Sequence, residues 1–278
     1  MFSKLYKYQV KELWSVARYF YLGMIGAIIL SLLITATRIP GIVLFFNALS
    51  ILSFILCGVT VGIFTIVYDY QNQQGKRSYF FRSIPARESA ILSSRMAYYF
   101  TYYFVTVLFI VIGLAIFLIL DNAVKMGVSF QIIFNIVKGF VLRTKIIGLL
   151  FILIIYAAIQ HMVSMMFAIT IGSEAKFKRL GIGGPVLVYF LHYIVMQIIT
   201  LISMLFIPIA IRLPENFDSG FKFQIVFESM MSEISRLLSN KSHDIKIFGI
   251  GFIFITFITW IIMLIWIYKS SKNKISLN

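Results

Sequence analysis

The chain has 278 residues, of which 60% are hydrophobic and 13% charged, with a formal net charge of +15. Soluble domains average about 45–50% apolar and about 25% charged residues, and a globule of this length has too little interior to hide the excess. The composition excludes a soluble globule and a disordered chain alike, and it points to an integral membrane protein.

Basic residues are scattered between apolar runs rather than gathered into a stripe with stacking aromatics. That argues for the charge bias of membrane loops and against nucleic-acid binding. The one cysteine, Cys57, lies inside an apolar run, which excludes an intrachain disulfide and a cysteine metal cluster.

In chain order, residues 1–18 come first. At about 100° per residue, Lys4, Lys7, Lys11 and Arg18 share one face, while Phe2, Leu5, Tyr6, Val10, Leu13 and Ala17 cover the other. The spacing predicts an amphipathic interfacial helix at an anionic leaflet, distinct from the first span. Arg38-Ile39-Pro40 after the first apolar run does not resemble a small-x-small cleavage site, so the run is expected to be retained.

A membrane-crossing helix needs about 20 apolar residues, and six runs qualify: 19–35, 42–68, 97–120, 146–171, 185–211 and 247–268. They are continuous and long, unlike the short alternating strands of a barrel. The expected fold is an all-α membrane protein with six spans. Residues 1–18 and 19–278 form its two divisions, and extracellular helical segments connect some of the spans.

With the N-terminus inside, the inner segments hold 15 of the 25 basic residues, which favours both termini in the cytoplasm. Among those segments, Asp69–Met96 is the most informative. A polar stretch leads into Lys76-Arg77-Ser78-Tyr79-Phe80-Phe81-Arg82-Ser83-Ile84-Pro85, after which Arg87-Glu88-Ser89 restarts a helix. The pattern leaves two readings open: a short helix held under the bilayer for a partner to grip, or an ordinary positive-inside loop.

Gly75-Lys76, Tyr79, Ser83-Ile84-Pro85 and Ile91-Leu92-Ser93-Ser94-Arg95 resemble the signature of type-2 ABC exporter permeases. In that family a Gly-Lys-x-x-Tyr stretch precedes a Leu-Pro-Val-Ser-Arg-like turn and a Leu-Leu-x-Ser-Lys run into the third span. The layout, with an amphipathic leader and six spans with both ends inside, is similar over nearly the whole chain. One position departs, since the family's Arg three residues after the Pro is Glu88 here and Arg87 stands one place earlier.

The resemblance implies a coupling helix within 69–88. Gly75, Lys76, Arg77, Tyr79, Phe80, Arg82, Ser83, Ile84, Pro85, Arg87 and Glu88 would then dock an ATP-binding subunit. It implies two such subunits, carrying ATP and Mg²⁺, and a second permease chain, identical or paralogous. It also implies no catalytic residue, cofactor or metal on this chain.

Between spans three and four, Phe130, Ile133, Val137, Phe140 and Val141 recur at helical spacing. Between spans five and six, Phe223, Val226, Phe227, Met230, Ile234, Leu237 and Leu238 do likewise, with Glu228, Glu233 and Arg236 off the stripe. Two outer helices are expected there, lying on the leaflet or re-entering it.

Polar residues within lipid are costly and so informative. Gln160, His161 and Ser164 in the fourth span, with His192, Gln197 and Thr200 in the fifth, are candidates for a transport pathway. His161 and His192 lie about 15 and about 10 Å from the same side, shallow enough to meet in a hairpin. Interhelical hydrogen bonding without transport is the alternative. Gly58 and Gly62 form a Gly-x-x-x-Gly, a candidate close helix contact.

The chain has no P-loop, because its Gly75-Lys76 continues with Arg77, and it has neither His-Glu-x-x-His nor Gly-x-Ser-x-Gly. No Asp or Glu lies inside a counted span and no internal repeat stands out, which weighs against an ion-coupled secondary transporter. An intramembrane enzyme would have only the His161/His192 cluster to work with.

The favoured expectation is the permease subunit of an ABC exporter in a bacterial plasma membrane. Few intramembrane charges suit a hydrophobic or amphipathic substrate, such as an antimicrobial or cytolytic peptide, a drug or a lipid. The Lys-, Ile- and Phe-rich composition suits an AT-rich bacterial genome, which favours peptide export or self-immunity.

Overall fold

The computed structural model describes residues 1–75, 77–79, 83, 87–129, 131–132, 134–135, 138–139, 146–212, 224–239 and 247–273. They fall into two compact units, Met1–Arg143 and Thr144–Asn278. Six helices are long and apolar enough to cross a membrane. This is the architecture of a multi-pass, all-α membrane protein.

Unit 1 contains α1 (Phe2–Thr35), α2 (Pro40–Gln73) and α3 (Glu88–Met126). At about 1.5 Å per residue they run about 51, 51 and 58 Å, against a hydrocarbon layer of about 30 Å. Each therefore carries polar ends beyond the apolar layer. The expected leader, residues 1–18, and the first span are one unbroken helix, Phe2–Thr35.

The reason lies in the register. Leu5, Gln9, Leu13, Ala17, Tyr21, Met24, Ile28, Ser31 and Thr35 are buried at intervals of three or four, a stripe that does not break at the predicted boundary. The leader's apolar face is turned to protein. The Tyr6 and Thr101 hydroxyls are 2.8 Å apart, and Tyr102 donates to the Val10 carbonyl at 2.7 Å. Tyr21 bonds Thr106 at 2.8 Å and stacks on Phe109.

Pro40 opens α2 after an extended Ile39, a position where the missing N–H is no loss and the fixed φ is already helical. Gly127 closes α3 at φ +65°, the left-handed conformation that a residue without Cβ adopts freely.

Unit 2 contains α4 (Ile146–Ile171), a 3-10 turn (Ala175–Leu180), α5 (Gly183–Phe206), β1 (Ala210–Arg212), β2 (Gln224–Val226), α6 (Met230–Leu238), β3 (Ile247–Gly249) and α7 (Gly251–Asn273). The strands form an antiparallel sheet in the order β2-β1-β3, with Ile211 opposite Ile225 and Phe248. The sheet trims two predicted spans. The fifth stops at Phe206, just before Pro208, and the sixth begins only at Gly251, because 247–249 is strand.

Gly249 and Gly251 let the α7 end close on α5. A methyl at Gly249 would lie 2.2 Å from the Met204 carbonyl oxygen, and one at Gly251 would lie 2.4 Å from Ile207 Cβ.

The segment between spans five and six is thus only partly the expected helix. Val226 is in a strand, Phe227 and Leu238 are 82% and 81% exposed, and Glu233 is buried. Period-two structure has displaced the assumed stripe, and Arg236, 3.4 Å from both Glu228 and Glu233, supplies the countercharge that lets Glu233 go inside. Ser229 caps α6 by accepting from the Ser232 N–H. Phe130, Ile133, Val137, Phe140, Val141, Phe223 and His243 lie outside the described residues.

The α4–α5 connection is built on backbone contact. A methyl at Gly172 would meet Pro185 N at 2.4 Å and the Ala168 carbonyl oxygen at 2.7 Å, and one at Gly184 would meet the Gly172 carbonyl oxygen at 2.6 Å. Gly172→Ala is expected to reduce stability by about 1–3 kcal/mol, read as an earlier thermal transition of the detergent-purified chain. Gly26→Ala, which meets nothing within 4 Å, is the control and should leave the transition in place or raise it.

Candidate functional site

Two clusters of polar side chains stand out in unit 1, and a polar cavity stands out in unit 2. The first cluster surrounds the connection from α2 to α3. Arg95 Nε donates to Asp69 Oδ1 at 2.8 Å and Arg95 Nη2 to Asp69 Oδ2 at 2.6 Å, and the Tyr99 hydroxyl donates to Oδ2 at 3.0 Å. Arg95 and Asp69 are 2% and 3% exposed.

A paired fork of this kind is strong and directional, and it joins the last turns of α2 to the second turn of α3. Glu12 of α1 completes the cluster. It accepts from the Tyr68 hydroxyl at 2.6 Å and pairs with Arg77 in the connection itself. The Glu12 carboxylate holds the Arg77 guanidinium above its ordinary pKa.

The expected docking residues sit just past these anchors. Gly75 ends α2, its N–H bonding the Tyr70 carbonyl at 3.1 Å; a methyl there would lie 2.7 Å from Gln71 Cα. Tyr79 is 69% exposed, and Ser83 donates its N–H to the Tyr79 carbonyl at 3.0 Å. Arg87 is the extended residue preceding α3, and Glu88 lies in the first turn. There its carboxylate faces the positive end of the helix dipole, which gives a local physical reason for an acid at this position. Lys76, Phe80, Arg82, Ile84 and Pro85 lie outside the described residues.

The second cluster holds the opposite ends of the same three helices. Asp121 Oδ1 accepts from Asn47 Nδ2 at 3.1 Å and from the Thr35 hydroxyl at 3.2 Å. Ser31 donates to Asn47 Oδ1 at 2.7 Å, and Lys125 reaches Asp121 Oδ2 at 2.5 Å. Along α3, Arg95 and Asp121 are about 39 Å apart, so the charged clamps bracket a span that is apolar between them. Asp69 and Asp121 each stand one residue past a counted span, which is why the search for intramembrane acids passed over both.

Gly58 and Gly62 face α3 of the same unit. A methyl at Gly58 would lie 3.2 Å from Ile110 Cδ1, and one at Gly62 would lie 4.0 Å from Tyr103 Cε1. The motif therefore serves packing within the chain.

In unit 2, α4, α5 and α7 line an open cavity of about 350 Å³ onto which Gln160, His161, Ser164, His192, Gln197 and Thr200 converge. Helical spacing explains the convergence. Tyr156, Gln160 and Ser164 follow at i, i+4 and i+8 on α4, as do Tyr189, Tyr193 and Gln197 on α5; Phe252 and Thr256 face them from α7.

His192 Nε2 is 3.0 Å from Ser164 Oγ, and Gln160 Nε2 is 3.5 Å from the same oxygen. Trp260 donates to Gln160 Oε1, and the Tyr156 and Thr256 hydroxyls pair. Phe167 lies against His192 and Trp266.

Sequence reasoning found the amides, imidazoles and hydroxyls of spans four and five. It missed the three tyrosines and the α7 partners, whose four-residue spacing was the available signal. Among the described residues there is no group of three His, Cys, Asp or Glu side chains able to hold a metal ion.

The Arg95–Asp69 pair yields a sharp stability test. Arg95→Leu alone leaves a buried carboxylate unpaired and is expected to cost about 3–5 kcal/mol. Arg95→Leu combined with Asp69→Leu removes both charges and should recover most of that loss. Unfolding midpoints of the three proteins in detergent measure both.

No family model, curated protein or solved structure matches the chain.

Proposed function

We propose that the chain is the permease subunit of an ATP-driven exporter for a hydrophobic or amphipathic substrate. Two permease chains, identical or paralogous, form the pathway, and two separate ATP-binding subunits dock beneath them at 69–88. In this reading both termini are cytoplasmic, the membrane is the bacterial plasma membrane, and ATP with Mg²⁺ is held by the partner.

The observation that carries the reading is how the α2–α3 connection is rooted. A docking element transmits force only if its ends cannot give. The buried Arg95–Asp69 fork ties one root to the other, and Glu12 ties α1 to Tyr68 and Arg77. A push on the connection is thereby delivered to three helices as a rigid body rather than absorbed in a loop. The exposed Tyr79 ring beyond these anchors offers the large amphipathic contact typical of interface hot spots.

The test is purification of the tagged full chain from its own cells in mild detergent, with identification of what accompanies it. The expected companion is a P-loop ATP-binding subunit in about equal amount. Tyr79→Ala combined with Arg87→Glu should reduce that companion roughly tenfold, equivalent to about 1.4 kcal/mol, without altering the chain's own yield or melting. A chain that emerges alone, or a companion indifferent to the two substitutions, overturns the proposal.

A further inference from the structure

We infer that the unit 2 cavity binds the uncharged, hydrogen-bonding headgroup of an amphiphile whose apolar tail stays in the lipid. That such a molecule is the cargo rests on the exporter reading; that it binds does not.

The depth of the site comes first. Ser164 lies about 10 Å from the end of α4 at Ile171, inside a helix rich in Ile, Leu, Met, Phe and Ala. Its neighbours would have no water to bond in such a layer. Ser164 is 5% exposed and holds His192 and Gln160, so it forms the floor, while Tyr193 and Gln197 are exposed and stand at the mouth.

The second step is the count of hydrogen-bonding capacity. Gln160, Ser164 and His192 have protein partners, and Tyr156 has Thr256. Tyr189, Tyr193, Gln197 and Thr200 line the same cavity and make no side-chain hydrogen bond among the described residues. Four polar side chains with unused donors and acceptors converge where leaving them unpaired is expensive. A ligand bearing hydroxyl or amide groups would satisfy them.

Charge is the third step. Among the described residues no Asp, Glu, Lys or Arg lines the cavity, so an ionised headgroup would be desolvated there without a countercharge. A neutral head escapes that penalty. A volume of about 350 Å³ has room for about a dozen water-sized groups, which suits a glycerol- or amide-sized head and excludes a whole folded peptide.

The probe is a monoacylglycerol with a diazirine in its acyl chain close to the head, applied to the purified full chain in phosphatidylcholine nanodiscs. Labelling should map to α4, α5 and α7 and be competed by unlabelled monoacylglycerol. Gln197→Leu combined with Thr200→Val touches none of the internal hydrogen bonds and should cut that labelling roughly tenfold, the worth of one or two hydrogen bonds. The α1–α3 background should be unchanged.

The inference is overturned if label is absent from these helices. It is also overturned if the double variant labels normally, or if a fatty acid or alkylammonium probe labels the site as well as the monoacylglycerol does. Because the isolated chain is used, a missing ATP-binding subunit would defeat the exporter reading without affecting this result.

Discussion

The buried pairing of Arg95 with Asp69 is the interaction on which the organisation of unit 1 turns. Burying either charge alone at the edge of an apolar layer is prohibitive, so the two must meet, and their meeting fixes the register of α2 against α3. Tyr99 takes up a remaining acceptor position on the carboxylate. Once that register is set, Tyr98 and Tyr102 are placed beside Thr65 and Val10, and the leader half of α1 packs on α3. Its leader becomes the third wall of the bundle, although the basic face of the same helix still suits an anionic surface on the outside.

The Asp121 cluster does the same work at the far end, and the separation of the two is informative. Helices in lipid gain little from apolar contact with one another, because the solvent is equally apolar. Small residues that allow close approach and polar bonds that have no lipid alternative must then hold them. Unit 1 uses both means, with Gly58, Gly62 and Gly113 in the middle, where a methyl at Gly113 would lie 3.0 Å from Phe54, and charged clamps at the ends. Unit 2 has a different economy: neutral hydrogen bonds join its helices around the cavity, the buried Glu174 carboxylate accepts from the Ser270 hydroxyl, and the ion pairs of Glu228 and Glu233 with Arg212 and Arg236 lie around α6 and the small sheet.

Much of this was legible in the sequence, and the gaps have physical causes. Six long helices followed from unbroken apolar runs. The four-residue spacing of Gln160 and Ser164, together with His192 on the next span, foretold a shared polar face. Asp69 and Asp121 were passed over because each sits at a span edge, where a charge usually means solvent, and Arg95 was read only as part of the run into the third span. Nothing local distinguishes an Asp that faces water from one that faces an Arg 26 positions later. The strands at 210–212, 224–226 and 247–249 were hidden for a related reason: three residues are too few to show a period, and their pairing partners are remote.

The contrast between the units gives the exporter reading its internal logic. A machine that converts a push at one end into opening along a membrane needs a stiff part and a compliant, ligand-accepting part. Unit 1 holds Asp69 of α2 against Arg95 of α3 at one end and Asp121 of α3 against Thr35 of α1 and Asn47 of α2 at the other, and a shift of one residue would strip a carboxylate of its partners in a poor solvent. Unit 2 lines its cavity with hydroxyls, amides and imidazoles, groups that exchange partners at small cost because each can donate and accept. Neutral bonds in a membrane are worth about 0.6 to 2 kcal/mol each, within reach of what a single bound headgroup can replace. Under the proposed reading, the chemistry of the two interiors would give stiffness to the unit that holds the α2–α3 connection and adaptability to the unit that holds the cavity.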